Sequence, residues 1–398
     1  MPELGIRSYF PFPRLNLTRQ SVDESGAWIE AEPDRRFRPV CRACGGPAAK
    51  VQQWNARPVR DLDLAGKRVW VNCRYRSVRC DACEGYSVED LGLFDPACRV
   101  TRRMALYVHG ICQMLTVKEA ADHLGLDWKT CRRIDAEFLE GRYEDPPAAP
   151  LRLLAVDEIA VRKGHSYMTV VLDFETGKVV WMGQGRKAGT LKEFFAALAP
   201  EQKAGIEAVA MDMWAPFIKA VRECAPGAKI VFDLFHLVQN FNKVIDKVRA
   251  DECRKASEKD KRVFKGSKYL LLKNDGNLTE SQRERLGRLL EINGTLVEVM
   301  ILKDMLKTLY DHDLPLLASR AVEEWCALAD AVGHKAVSDF ASLVRKHAFG
   351  IVNHCEHKIH TSVLEGVNNK IKVAKRKAYG YRDLRYFTLK VYQLFDSN

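Results

Sequence analysis

The chain has 398 residues, 47% hydrophobic and 29% charged, with 25 Gly and 15 Pro, which is enough for two or three domains of ordinary globular make-up and excludes wholesale disorder and collagen. No apolar run is long enough for a membrane span, residues 156–172 being broken by Asp157, Glu158, Arg162, Lys163 and His165, and the opening Met-Pro-Glu-Leu-Gly-Ile-Arg-Ser lacks the charge and apolar core of a secretory signal, so a reducing cytoplasm is expected. Lys and Arg number 63 against 52 Asp and Glu, a net +11 that suits a polyanionic partner, nucleic acid first, although solubility alone can produce such a balance.

Four of the 12 cysteines fall in two pairs, Cys41-x-x-Cys44 and Cys80-x-x-Cys83. A two-residue gap lets one tight turn aim two thiolates at one ion, and two such turns complete a tetrahedral Zn²⁺ site. Residues 59–78 alternate apolar and polar side chains around Gly66-Lys67, as in a β-hairpin whose arms bring the knuckles together. The pattern predicts a zinc ribbon at about residues 38–90, within an N-terminal region 1–98. A redox pair or four separate core thiols is the other reading. Cys73, Cys98, Cys112, Cys131, Cys224, Cys253, Cys326 and Cys355 have no partner at ligand spacing and read as small buried hydrophobes.

From residue 99 to 143 the period becomes helical. Residues 117–124 form one short helix, Gly125-Leu126-Asp127 a turn with an N-cap, and 128–139 a second helix. Its first turns expose Lys129, Thr130, Arg132 and Arg133 while Cys131, Ile134 and Phe138 face inward, the split required of a helix-turn-helix that docks in the DNA major groove. Plain helix packing without DNA gives the same pattern. Residues 144–150, Glu-Asp-Pro-Pro-Ala-Ala-Pro, read as an interdomain linker.

Strands then alternate with helices: strands at 151–162, 166–174 and 178–184, a helix at 191–198, a strand at 206–213, a helix at 217–224, and a strand at 229–232 leading into Asp233-Leu-Phe-His236. An antiparallel opening followed by α-β-α-β is the ribonuclease H-like order. Asp157 and Asp212 would then be neighbours if the first and fourth strands pair, forming half of a site for Mg²⁺ or Mn²⁺, which prefer hard oxygen ligands. Glu365 is the candidate third carboxylate, opening a helix followed by Lys370, Lys372, Lys375, Arg376, Lys377, Arg382, Arg385 and Lys390 against Asp383 alone. That charge excess suits a strand of phosphates.

In order along the chain, these features resemble the DDE transposases of the bacterial insertion-sequence group designated ISL-three. The resemblance rests on the double Cys-x-x-Cys and helix-turn-helix, on Ala-Val-Asp157-Glu-Ile-Ala, on Ala-Met-Asp212-Met-Trp, and on Phe232-Asp-Leu-Phe-His-Leu-Val-Gln239. It continues in Leu364-Glu365-Gly-Val-Asn-Asn-Lys-Ile-Lys and Lys375-Arg-Lys-Ala-Tyr-Gly-Tyr381. It implies that Asp157, Asp212 and Glu365 form a catalytic triad holding Mg²⁺ or Mn²⁺ in a ribonuclease H-like core. It further implies that the ribbon and helix-turn-helix bind double-stranded DNA at terminal inverted repeats, and that the protein works on DNA as a homo-oligomer, at least a dimer, in a bacterial cytoplasm at the nucleoid. One departure is local, His360-Thr-Ser-Val-Leu standing where a stretch like Ser-Asn-Gly is expected.

The expected fold is thus multidomain α/β: the zinc ribbon and helix-turn-helix, then a ribonuclease H-like core in two parts, 151–240 and 346–398, interrupted by an all-α insertion at 241–345. The 153 residues between Asp212 and Glu365 (365 minus 212) exceed one crossover and fit such an insertion. Its charge-dense stretch 249–268 reads as a solvated helix.

Several neighbours are weighed separately. Glu158 should point away from Asp157 on a strand and serve as a structural partner. Asp173 suits a turn. Asp233, ending its strand, and His236 just beyond it could each support the ion-holding groups, His236 being the better candidate to position a ligand or contact the scissile phosphate. His354, His357 and His360 read as a helical face, and Trp214 as core. The expected activity is cleavage at element ends and joining of the 3′-hydroxyl to target DNA, with a repressor lacking catalysis, or a nuclease without strand transfer, as alternatives.

Overall fold

The computed structural model describes residues 9–10, 12–48, 50–143, 150–162, 166–359 and 362–396. Six residues of the expected linker, 144–149, and His360 lie outside them. The chain divides into two units, Met1–Gly141 and Arg142–Asn398, and no helix among the described residues is long and apolar enough to cross a membrane.

In the first unit, β1 (Leu15–Val22), β2 (Ala27–Pro33), β3 (Lys50–Leu64), β4 (Lys67–Cys80) and β5 (Gly85–Val88) form one sheet, in the order β1-β2-β4-β3 with β5 on β4. The β3–β4 hairpin is the expected one, but its turn falls at Ala65-Gly66, where both residues have positive φ, as hairpin turns that match strand twist require. Val59, Val69, Val71 and Cys73 point inward and are fully buried. The opposite face carries Trp70, stacked on Trp28 at 5.8 Å.

Three helices follow: α1 (Arg102–Met114), α2 (Val117–Leu124) and α3 (Trp128–Tyr143). Thr116 and Glu119 close a capping box at the start of α2. Gly125 ends it at φ 62°, a left-handed conformation that favours glycine, and the Arg68 guanidinium packs against the space a Cβ would take. Asp127 accepts from the Lys129 and Thr130 N–H groups at 2.9 and 3.3 Å, opening α3 as expected. Cys131 and Ile134 are buried, but Phe138 is 38% exposed and Leu139 takes the inward position. The reason is a buried polar pair: Asp135 meets His109 Nδ1 at 2.7 Å, and Phe138 lies flat over that imidazole at 4.9 Å.

The second unit opens with β6 (Leu153–Arg162), β7 (Ser166–Asp173) and β8 (Val179–Gln184), then α4 (Ala188–Ala197), α5 (Pro200–Ala204), β9 (Ala208–Met211), α6 (Ala215–Cys224) and β10 (Lys229–Phe232). The sheet order is β10-β9-β6-β7-β8, with β6–β7 and β7–β8 antiparallel and β6–β9 and β9–β10 parallel. Alternation sorts its side chains to two faces. Leu154, Val156, Val209 and Met211 pack with Leu191 and Phe194 of α4 and Phe217 of α6. Ala155, Ile159, Ala208 and Ala210 pack on the other face, against the two helices that end the chain.

Between sheet and final helices run α7 (Leu234–Lys255), α8 (Glu258–Phe264), α9 (Lys268–Leu272), α10 (Glu280–Glu291), α11 (Gly294–Thr308), α12 (Pro315–Ala331), α13 (Lys335–Lys346) and α14 (Ala348–Val352). Trp325, Phe241 and Phe340 centre their shared core. The buried Lys303 ammonium donates to the carbonyls of Leu271, Leu272 and Lys273, closing the C-terminal end of α9. The expected edges of the insertion fall inside helices, residue 240/241 within α7 and 345/346 within α13, because one apolar stripe on α7, from Leu237 to Val248, runs through the first of them. The chain closes with α15 (Ser362–Lys377) and α16 (Leu384–Phe395).

Packing beneath β10 is tight. A Cβ on Gly350 of α14 would lie 2.3 Å from the Phe232 ring, which is itself held edge-on by His347 and Phe349, both at 5.3 Å. Gly350→Ala should therefore cost about 1–3 kcal/mol, read as a lower urea midpoint at constant slope; an unchanged midpoint would show that the ring can move aside.

Candidate functional site

In the first unit the β3–β4 hairpin brings the two cysteine pairs together. All four sulfurs lie within 4.8 Å of one another, the one such cluster of three or more metal-ligating groups among the described residues. Cys41 Sγ is 4.0 Å from Cys83 Sγ and Cys44 Sγ 3.6 Å from Cys80 Sγ. Cys41 and Cys80 are buried while Cys44 and Cys83 face solvent. The Cys44 N–H, the Ser87 hydroxyl and the Ala43 N–H favour the Cys41 thiolate, pulling its pKa down to about 6. Cys83, sharing hydrogen bonds with Cys44, Cys80 and Cys41, is pushed up to about 12. Four thiolates this close repel one another unless a cation lies among them, so the donor set fits Zn²⁺. The expected redox-pair and core-thiol alternatives do not account for two half-exposed knuckles facing each other. Of the remaining cysteines, Cys73, Cys98, Cys112, Cys131 and Cys326 are buried, and Cys224, Cys253 and Cys355 are half-buried.

On α3, Lys129 is exposed and Thr130, Arg132 and Arg133 are half-buried. Arg133 pairs with Glu137 at 2.7 Å. None of the four belongs to the buried face of α3, which is made by Cys131, Ile134, Asp135 and Leu139.

In the second unit, one cavity of about 1110 Å³ is lined by Asp157, Asp212, Asp233, Glu365, Asn368 and Lys372 among others. The sheet explains the first three. β6 and β9 pair Ala155 with Ala210, and β9 and β10 pair Met211 with Phe232. Carrying each register onward sets Asp157, Asp212 and Asp233 side by side where the parallel strands end, the edge at which open α/β sheets bind ligands. All three share the alternation of Ala155, Ala210 and Val231, on the face that α15 covers. Glu365 sits in the first turn of α15, and Asn368, Asn369 and Lys372 follow three, four and seven residues later on the same side. The three expected carboxylates thus share one cavity without converging as closely as the cysteines.

The electrostatics are those of crowded acids. Burial pushes the Asp212 carboxyl up to about 6; His236 and the Trp214 N–H oppose that, and the charges of Asp157 and Glu158 add to it. Asp157 accepts from the Glu158 N–H at 2.7 Å and from the Asn368 amide. Glu158 belongs by strand alternation to the opposite face and pairs with Arg186 at 3.1 Å, a structural partner as expected, yet it also borders the cavity. His236 lines the cavity 3.8 Å from Asp233, which also accepts from the Phe235 N–H at 2.8 Å and so caps α7. Asp173 does hold a turn, accepting from the Glu175 N–H and the Thr176 hydroxyl.

Other expectations change. Trp214 is 38% exposed rather than core: its Nε1 donates to the Arg186 carbonyl at 3.0 Å while the Arg186 guanidinium packs over its ring. His354 lies in a short 3-10 turn, buried against Tyr310, and His357 is in irregular chain, so neither belongs to a helical face. Of the basic residues expected to seat DNA, Lys372 lines the cavity and Arg376 and Lys377 are exposed. Lys370 and Lys375 instead donate to the carbonyls of Leu394 and Ala160. Asp233, weighed with His236 as a supporting group, is brought to the cavity by strand register; Asn368, which lies inside the Glu365 motif but was given no role, is brought there by helix phase.

A family model described as transposase, the DDE type of the ISL-three group, matches residues 154–391. The chain belongs to that family. A model for the zinc finger of transposases IS204, IS1001, IS1096 and IS1165 matches residues 38–83, so this ISL-three transposase carries an N-terminal zinc ribbon ahead of its DDE domain. It is 37% identical over 362 residues to the transposase for insertion sequence element IS1001 of Bordetella parapertussis, covering 90% of this chain and 89% of that protein. It is 26% identical over 407 residues to the transposase for IS1557 of Mycobacterium tuberculosis, covering 90% and 88%.

Raising the Asp212 pKa in the folded state means that folding favours its protonated form. That contribution is complete below pH 3.8 and is lost as pH rises through about 6. In metal-free protein, Asp212→Asn should therefore raise stability at pH 7.5 by on the order of 1–3 kcal/mol, with the gain fading toward pH 4. Urea unfolding at the two pH values measures it, and an equal effect at both would remove the titration as its cause.

Proposed function

We propose that this transposase binds the terminal inverted repeats of its element, cuts DNA at the element ends and joins the freed 3′-hydroxyl to target DNA. The reading is carried by one observation: Asp157 and Asp212 stand side by side on the sheet face covered by the helix that bears Glu365, all three lining one cavity. An antiparallel β6-β7-β8 joined to parallel β9 and β10 supports a ribonuclease H-like core, with the helices between β10 and α15 as its insertion.

Asp157, Asp212 and Glu365 would hold Mg²⁺ or Mn²⁺. Their crowding fits that role, since an acid pushed up by burial and by neighbouring charge is one that a hard cation relieves. Bound there, such ions activate a water or a 3′-hydroxyl and stabilise the leaving oxygen of a phosphodiester. The protein's own groups do the rest. Lys372 sets a positive charge on the cavity wall where a phosphate would lie, and Arg376 and Lys377 extend it along α15. His236, beside Asp233, is placed to orient a ligand or to donate to a phosphate oxygen. The zinc ribbon and α3, with Lys129, Thr130, Arg132 and Arg133, would read the repeats. Two ends must be processed together, so the working form is at least a dimer on DNA, at the nucleoid of a bacterial cytoplasm.

With DNA carrying the element's terminal repeats and Mg²⁺ or Mn²⁺, Asp157→Asn and Glu365→Gln should each abolish 3′-end cleavage and joining while leaving repeat binding unchanged. Wild-type binding without metal-dependent cleavage would indicate a repressor. Cleavage without joined product would indicate a nuclease, and cleavage retained by either variant would remove that residue from the triad.

A further inference from the structure

Asn368 stands out on α15. It is 7% exposed, lines the same cavity as the three carboxylates, and lies one turn beyond Glu365. Its Nδ2 donates to Asp157 Oδ2, whereas its Oδ1 is buried without a hydrogen-bond partner among the described residues. The orientation is dictated by chemistry, because a carboxylate oxygen accepts and therefore faces the NH₂ end of an amide, leaving the oxygen to face elsewhere. A buried acceptor with nothing to accept from is costly, and native structures keep such groups where a ligand completes them.

A tether between helix and strand would not need that oxygen. α15 is already fixed by Leu364, Val367 and Ile371, buried against the sheet, and by the Lys375 ammonium on the Ala160 carbonyl of β6. Nor would an aspartate serve both ends of the arrangement, since it would set a second negative charge against Asp157 and remove the donor. An amide alone offers a hydrogen to the carboxylate and a neutral hard oxygen to a cation.

We propose that Asn368 belongs to the ion-holding set: its amide NH₂ orients Asp157, and its Oδ1 supplies a neutral oxygen to the bound divalent ion, directly or through water. This rests on the metal site placed above at Asp157, Asp212 and Glu365. Orientation of an anionic ligand by a neighbouring donor and a neutral oxygen from the same side chain both act on affinity, and partners of this kind commonly change it by about 10–100-fold.

The test uses the full, zinc-loaded chain and Mn²⁺ alone, with free Mn²⁺ read by its electron paramagnetic resonance signal and folding checked by circular dichroism. Asn368→Leu, similar in size and lacking both polar atoms, should weaken Mn²⁺ binding about tenfold or more. Asn368→Asp keeps the oxygen but loses the donor to Asp157, and should recover part of the Mn²⁺ affinity lost in Asn368→Leu, which a purely structural asparagine would not do. Wild-type affinity in Asn368→Leu, or equal loss in the Leu and Asp variants, would overturn the assignment. Asp157→Asn separates the two failures: if it too binds Mn²⁺ like wild type, the metal site itself is misplaced, whereas lost binding there with unchanged Asn368→Leu removes Asn368 alone.

Discussion

Residue-for-residue pairing of three parallel strands is the constraint on which the second unit depends. Ala155 opposes Ala210 and Met211 opposes Phe232, so Asp157, Asp212 and Asp233 emerge at the same sheet edge and on the same face. A slip of one residue in β9 would send Asp212 to the side of α4 and α6. The apolar residues between the strands' pairing partners enforce the register, because Val209 and Met211 must enter one core and Ala208 and Ala210 the other.

From that alignment the electrostatics follow. Three carboxylates side by side at one edge crowd one another when α15 and the start of α7 close over them, and burial, with the charges of Asp157 and Glu158 added, raises the Asp212 pKa to about 6. Glu158, whose charge adds to that crowding, is partly balanced by its pair with Arg186. The small unit solves a related problem differently: a 15-residue and a 14-residue arm, β3 and β4, carry two cysteine pairs from distant sequence to within ligand distance of each other. In both cases β pairing converts sequence spacing into a cluster of groups that repel one another until a cation is bound.

Much of this was legible in the sequence, for identifiable reasons. Alternation and turn chemistry gave the strands around Asp157 and Asp212 and the β3–β4 hairpin, and helical period with its caps gave α2 residue for residue and the start of α3, which runs on from 139 to Tyr143. The cysteine spacing gave the knuckles. What escaped depends on partners remote in sequence. Phe138 has the helix phase of a core residue and is displaced by the Asp135–His109 pair. Trp214 looks apolar until its indole N–H finds the Arg186 carbonyl. The carbonyl partners of Lys370 and Lys375, on α16 and β6, likewise lie far off in sequence. Asn368 joins the site through helix phase, which its neighbours in sequence do not announce. The expected edges of the helical segment fall within α7 and α13, and α7 belongs both to the cavity, through Phe235 and His236, and to the helical core, through Phe241 and Ile245.

The most direct test of a metal site set by strand register is anomalous diffraction from crystals of the full protein with terminal-repeat DNA and Mn²⁺. Manganese peaks should lie between Asp157 and Asp212, within ligand distance of Glu365, on the sheet face covered by α15. Peaks on the Glu158 side of the sheet, or in the cavity away from both aspartates, would contradict the assignment of these carboxylates as the ion-holding set.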